Sequence, residues 1–276
     1  MKRIVLFMLL SVTFPVNMAK AQNGDLSYYF NNLPKDIALD KSLIRSYRMT
    51  TDYYNFDLKG NFLSKQRLAG IITYGFGEDF AQWREIYYSE SKSFDGVFPQ
   101  GEKQDIMENF RYRQDEGVLK AEFFESYLPE ANPMIMNLIW DALAFDALAY
   151  SCLDSLVLNR EFRAESMNSE LKIADIGTFE NRDIRVTWIG ITKFNNELCA
   201  ILKYSTMNNP LKLDMEGFSM SGRSHYWGEI YVSLSDMQIE YANLTEDVLT
   251  EINIESPPKN ILGYTVRRID LSKMND

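Results

Sequence analysis

The chain predicts an α+β fold: a strongly curved antiparallel β-sheet, a meander able to form a half-barrel, packed around one long, largely buried α-helix. Two observations carry this. Residues 134–156 are apolar around most of a helical circumference and rich in the strong helix formers Ala and Leu. On both sides of them, alternating runs of β-branched and aromatic residues recur about every 10–15 residues between Gly, Asn and Pro turn signals. A sheet must cover its apolar face and such a helix must bury its own, so each element meets the other's need.

Met1–Ala21 reads as a secretory signal. Lys2 and Arg3 precede the apolar Ile4–Phe14, and Ala19-Lys20-Ala21 supplies the small-x-small pattern before cleavage, so the mature chain would begin at Gln22. The apolar run is too short to span a bilayer, and no stop-transfer segment follows. Asp25–Lys41 is a lead-in with Pro34 and room for a short helix. Ser46–Phe56, Phe62–Tyr74 and Ala81–Ser89 read as three strands joined at Lys59-Gly60-Asn61 and Gly75–Asp79. Ser93–Gly101 is an irregular connection. Glu102–Arg113 is a helix or an edge strand, and Val118–Tyr127 a strand.

Asn132 is a good helix cap and Pro133 suits the first helical position, so the helix spans residues 132–156. Asp141 and Asp146 interrupt its apolar surface and argue against a membrane span. Strand signals then continue to the end: Leu171–Phe179, Arg182–Thr192, Leu198–Tyr204, Leu211–Met215, the run through Tyr226 and Leu234, Met237–Ile254, and Tyr264–Leu271. Asn195-Asn196, Asn208-Asn209-Pro210, Ser235-Asp236 and Pro257-Pro258 mark the turns between them. No linker or repeat divides residues 22–276, which read as one exported domain.

Composition narrows the chemistry. The formal charge of −10 becomes three units more negative when Lys2, Arg3 and Lys20 leave with the signal. Such an acidic chain without basic clusters is unsuited to nucleic acid. One histidine, His225, excludes multi-His zinc sites, and no P-loop or G-x-G-x-x-G is present. Neither a cofactor nor a metal site is expected. Cys152 and Cys199 would close a loop of about 46 residues if bridged; the alternative is two buried thiols. No Cys follows the signal core, so no lipid anchor is expected there, and the mature protein reads as a released monomer.

The densest candidate cluster is Ser221–Gly228. On a strand, Arg223, His225 and Trp227 share one face and Ser224 the other, so Ser224 and His225 cannot form a nucleophile–base pair. A cation, an imidazole and a flat ring on one face suit a ligand. Trp188 is a further aromatic candidate. Asp141 is costly to bury unless paired, and Arg185 or Arg223 would neutralise it from the sheet. Asn137 shares its face, whereas Asp146, five residues on, does not. The 16 Tyr and 17 Phe suit sugar stacking but equally fill a β-rich core.

A curved sheet around a helix is similar in outline to exported carriers that shuttle lipoproteins or other lipid-modified cargo between membranes; the likeness is one of architecture. The leading expectation is a non-catalytic, exported binding protein of the cell envelope that holds an apolar or amphiphilic ligand under the sheet. Second comes a glycan- or protein-binding module using an exposed aromatic face, and third an envelope hydrolase.

Overall fold

The computed structural model describes Tyr29, Leu33 and residues 39–76, 79–114, 116–124, 132–173 and 177–274. The signal segment and most of the lead-in lie outside the described residues, as does the end of the segment read as Val118–Tyr127.

The three predicted N-terminal strands form an antiparallel meander: β1 (Arg45–Asp57), β2 (Phe62–Tyr74) and β3 (Phe80–Ser91). The short strands β4 (Glu102–Lys103) and β5 (Phe110–Arg113) pair with β3, so Glu102–Arg113 takes the edge-strand alternative. The Ser93–Gly101 connection folds onto the sheet, where Phe98 lies over Lys65 and Arg67 at 4.9 and 4.2 Å and the Lys65 ammonium donates to the Phe94 carbonyl at 2.8 Å. The Val118 segment is not a strand. It makes two single 3-10 turns, Glu116–Leu119 and Ala121–Phe124, which bury Val118 and Phe124. Trp140 fixes the first of them by donating its indole N–H to the Val118 carbonyl at 2.9 Å.

Helix α1 (Asn132–Tyr150, 19 residues) starts where Asn-Pro predicts and is shorter than expected. Ser151, Asp154 and Ser155 favour turns over helix, and an acid is poorly placed at a helix C-terminus. A 3-10 turn, Leu153–Ser155, follows instead.

The C-terminal half contains β6 (Glu161–Arg163), β7 (Ser169–Ile173), β8 (Gly177–Asn181) and β9 (Arg185–Phe194). Four long strands complete it: β10 (Glu197–Met215), β11 (Phe218–Ser233), β12 (Ile239–Glu255) and β13 (Pro258–Lys273). Leu171–Phe179, read as one strand, is a β7–β8 hairpin. Asn195 and Asn196 both take positive φ (47° and 68°), which suits the two-residue hairpin turn predicted there. Asn208-Asn209-Pro210 is not a turn but a bulge within β10, the pairing with β11 resuming at Asn209 after Thr206. Buried Asn209 makes the bulge tenable by bonding the Thr206 hydroxyl and accepting the Arg182 N–H at 2.9 Å.

These thirteen strands form one open antiparallel sheet, ordered β4-β3-β2-β1-β13-β12-β11-β10. Beyond β10, its free edge is shared by β9 along Glu197–Ser205 and by β8 along Leu211–Leu213. Alternation sorts the faces. Tyr47, Met49, Ile72, Leu202, Ile230, Ala242 and Leu271 belong to one core with Ile135, Leu138, Ile139, Ala142 and Phe145 of α1. The face toward the helix is therefore the apolar one, as a sheet-plus-helix packing requires. No helix of the described residues is long and apolar enough to cross a membrane.

Candidate functional site

Helix α1 is apolar on more than one side, and the sides differ in burial. Ile135, Leu138, Ile139, Ala142, Phe145 and Ala149 form the fully buried stripe. A second stripe, Trp140, Leu143, Ala144 and Ala147, is half-buried and lines a cleft of about 1060 Å³. Positions 140, 143, 144 and 147 follow the 3.6-residue period, so they form one continuous surface. Leu39, Leu153, Met167, Leu171, Ile184 and Met237 continue the apolar lining. The volume sits at the upper end of the roughly 300–1,000 Å³ typical of small-molecule sites.

Polar groups gather at two walls. At one, Tyr226 of β11 donates its hydroxyl to the Asn181 side-chain oxygen at 2.9 Å. At the other stand Arg45, Lys41, Gln114 and Asp146. Arg45 shares the inward parity of Tyr47 and Met49, which carries its charged group into the fold. It is 7% exposed, its guanidinium lies 4.9 Å over the Tyr74 ring, and its Nη1 is buried without a hydrogen-bond partner among the described residues. Burial pushes the Asp146 carboxyl up to about 6, against the opposing pull of Arg45, the Gln114 amide at 3.4 Å and Lys41. Lys41 also leans outward to Asp79 at 3.5 Å.

The residues singled out from the sequence do not converge. Asp141 faces the sheet, where its partner is neither Arg185 nor Arg223 but Arg267 of β13. Arg267 also reaches Glu246 of β12 at 2.9 Å and lies 5.6 Å from the Tyr53 ring. Burial raises the Asp141 carboxyl to about 6 even with Arg267 beside it, and Glu246 adds to the rise. For Arg267, burial disfavours the charge, but the two acids outweigh it and hold the guanidinium above its usual range. Arg185 instead pairs with Asp183 and Glu161 near the surface, and Arg223 is exposed on the other side of the sheet. One cation between two acids leaves a net negative charge, and Asp141 Oδ2 and Arg267 Nε are buried with no hydrogen-bond partner among the described residues.

Trp188 is fully buried, its indole N–H donating to the Gly190 carbonyl at 2.8 Å, so it serves the core and not an exposed aromatic face. Arg223, His225 and Trp227 do share a face of β11, the one turned away from the helix. Trp227 is 40% exposed, and His225 Nδ1 accepts the Asn208 N–H at 2.9 Å. Ser224 points inward and is buried, so no Ser–His pair forms.

Cys152 and Cys199 are free and buried. The reason is directional. Cys152 belongs to the helix-side core, whereas Leu202 and Tyr204 place Cys199, of opposite parity, on the other face of the sheet. Burial raises the two thiols to about 11 and about 12. No group of three or more His, Cys, Asp or Glu among the described residues is placed to hold a metal.

Arg45 and the second helix stripe are the features that sequence reasoning missed. The parity of Arg45 with Tyr47 and Met49 was a usable signal. The stripe read as apolar, but nothing in its composition separates a surface under protein from one facing a cleft.

No protein-family model matches the chain, and no curated protein does. Among solved structures, a DUF1329 family protein from Desulfovibrio piger aligns over 82% of this chain and 83% of its own, with 11% identity and a TM-score of 0.12. A likeness at that level carries no argument about fold or function.

Proposed function

We propose that the protein is an exported, non-catalytic binding protein of the cell envelope that holds an apolar or amphiphilic ligand in the cleft along α1. The observation that carries this is the helix's second apolar stripe. A helix apolar around its circumference is stable where that surface is covered, yet Trp140, Leu143, Ala144 and Ala147 are only half-buried and border the cleft. A hydrocarbon chain lying there gains about 0.8 kcal/mol for each methylene it buries. Export is inferred from the composition of Met1–Ala21.

The half-barrel belongs to the same proposal. Asn137 meets Tyr53 at 3.3 Å and Asp146 lies near Arg45, so α1 runs roughly along β1. Laid that way, a helix about 10–12 Å wide covers two or three strands spaced about 4.8 Å apart. The core nevertheless takes Trp83 from β3 and Trp188 from β9, at opposite ends of the sheet. A sheet that curls around the helix accounts for both.

The test is titration of the mature chain, residues 22–276, with a fluorescent long-chain probe, alongside Ala147→Trp. The variant fills the cleft from a half-buried position and should fold. Saturable binding by the wild type, lost in the variant, supports the reading; equal binding by both overturns it. Trp227, exposed on the face it shares with Arg223, favours a second reading, recognition of a glycan or protein by the outer face. Trp227→Ala would then abolish capture while leaving probe binding intact.

A further inference from the structure

The cleft carries an apolar stripe along the helix, and one wall holds a buried cation that the described residues leave incompletely bonded. We infer that the ligand is an amphiphile with a terminal carboxylate, seated on the Arg45 guanidinium with its hydrocarbon chain along Leu143, Ala144 and Ala147. The inference rests on the binding reading above and adds the head group.

Three observations support it. Arg45 is 7% exposed, and its Nη1 is buried with no acceptor among the described residues. Buried donors are nearly always satisfied, and a charged one left open is the costliest kind. The guanidinium is also held in place, stacked 4.9 Å over Tyr74, so a ligand would meet a preorganised fork. Finally, Arg45 and the apolar stripe border the same cleft, which joins a head-group contact to a chain-length surface. The stripe from Trp140 to Ser151 is about 16 Å long at 1.5 Å per residue.

The other charged groups on the cleft select among anions. Lys41 adds a second cation at this wall, while Asp146 and Asp154 are acids lining the same space. A phosphate monoester, carrying about −1.5 to −2 at neutral pH, would crowd its charge against Asp146. A carboxylate brings a single negative charge and a planar pair of acceptors that match the guanidinium fork.

The experiment displaces a fluorescent long-chain probe from the mature chain at pH 7.5 with palmitate, hexadecanol or hexadecyl phosphate. It is repeated on Arg45→Gln and Arg45→Lys, with far-UV circular dichroism reporting fold. Wild type should hold palmitate at least about tenfold more tightly than hexadecanol. Arg45→Gln should erase that ratio, chiefly by weakening palmitate, and Arg45→Lys, a charge without the fork, should fall between. If Arg45→Gln does not fold, the lysine variant decides: an undiminished palmitate preference would overturn the fork. Equal wild-type binding of palmitate and hexadecanol overturns the head group and leaves the cleft reading standing. Tighter binding of hexadecyl phosphate overturns the carboxylate. Failure of all three to displace the probe overturns the cleft reading itself.

Discussion

Asp146→Asn should stabilise the protein above pH 6 and do nothing below about pH 4. The Asp146 carboxyl moves from 3.8 to about 6 on folding, chiefly through burial. A raised carboxyl means that the native state binds the proton more tightly than the unfolded chain. The cost of holding the charge is therefore fully present above the folded value and vanishes as pH falls through 6 toward 3.8. The full displacement corresponds to roughly 3 kcal/mol. Asp146 keeps part of its surface open to the cleft, where water screens it, so an effect of about 1–2 kcal/mol is expected. The assay is urea unfolding of wild type and variant at pH 8 and pH 4. Asp141, which rises for a similar reason, is present in both proteins and cancels in the difference. A stability difference independent of pH would refute the argument. So would a less stable variant at pH 8, since attraction to Arg45 would then exceed the cost of burial.

Four further outcomes follow from the described contacts. Arg267→Met strands Asp141 and Glu246 and should cost about 3–5 kcal/mol by chemical denaturation; adding Asp141→Leu and Glu246→Gln should recover most of it. Trp188→Ala should cost about 3–5 kcal/mol, whereas Trp227→Ala should stay within about 1 kcal/mol, as measured by shifts in urea midpoint. Reductant should leave the melting temperature unchanged, and thiol reagents should label Cys152 and Cys199 only as the protein unfolds. Gly228→Ala places a Cβ 1.9 Å from the Asn243 carbonyl and 2.6 Å from the Tyr204 hydroxyl, so thermal unfolding should show a loss above about 3 kcal/mol or no folded product.

Most of the sheet was legible because strand alternation is local. Tyr47, Met49 and their neighbours declare a face within a few residues, and the turn residues punctuate each run. What could not be read was decided at a distance. Arg267 lies 126 residues from Asp141, and no local pattern pairs them. Asn208-Asn209-Pro210 carries turn chemistry, but continued pairing with β11 turns it into a bulge. The Val118 segment has strand-like residues but found its partner in Trp140 of the helix. At the site, the sequence favoured Arg223, His225 and Trp227 because strand alternation within five residues puts them on one face. The cleft instead assembles Arg45, the helix stripe and Ile184 from separate segments, a conjunction visible only once the chain is folded.

The pairing of β1 with β13 also orders events in time. Nearly every other strand neighbour is close in sequence and can zip soon after it is made. The β1–β13 seam joins Asn55 to Thr265, 210 residues apart, a closure whose length-dependent entropic cost is about 5 kcal/mol. Until the sixteen-residue β13 has been made, the N-terminal meander keeps an open edge and the helix lacks Arg267 for Asp141. Loss of β13 would therefore leave two partial sheets with no seam between them.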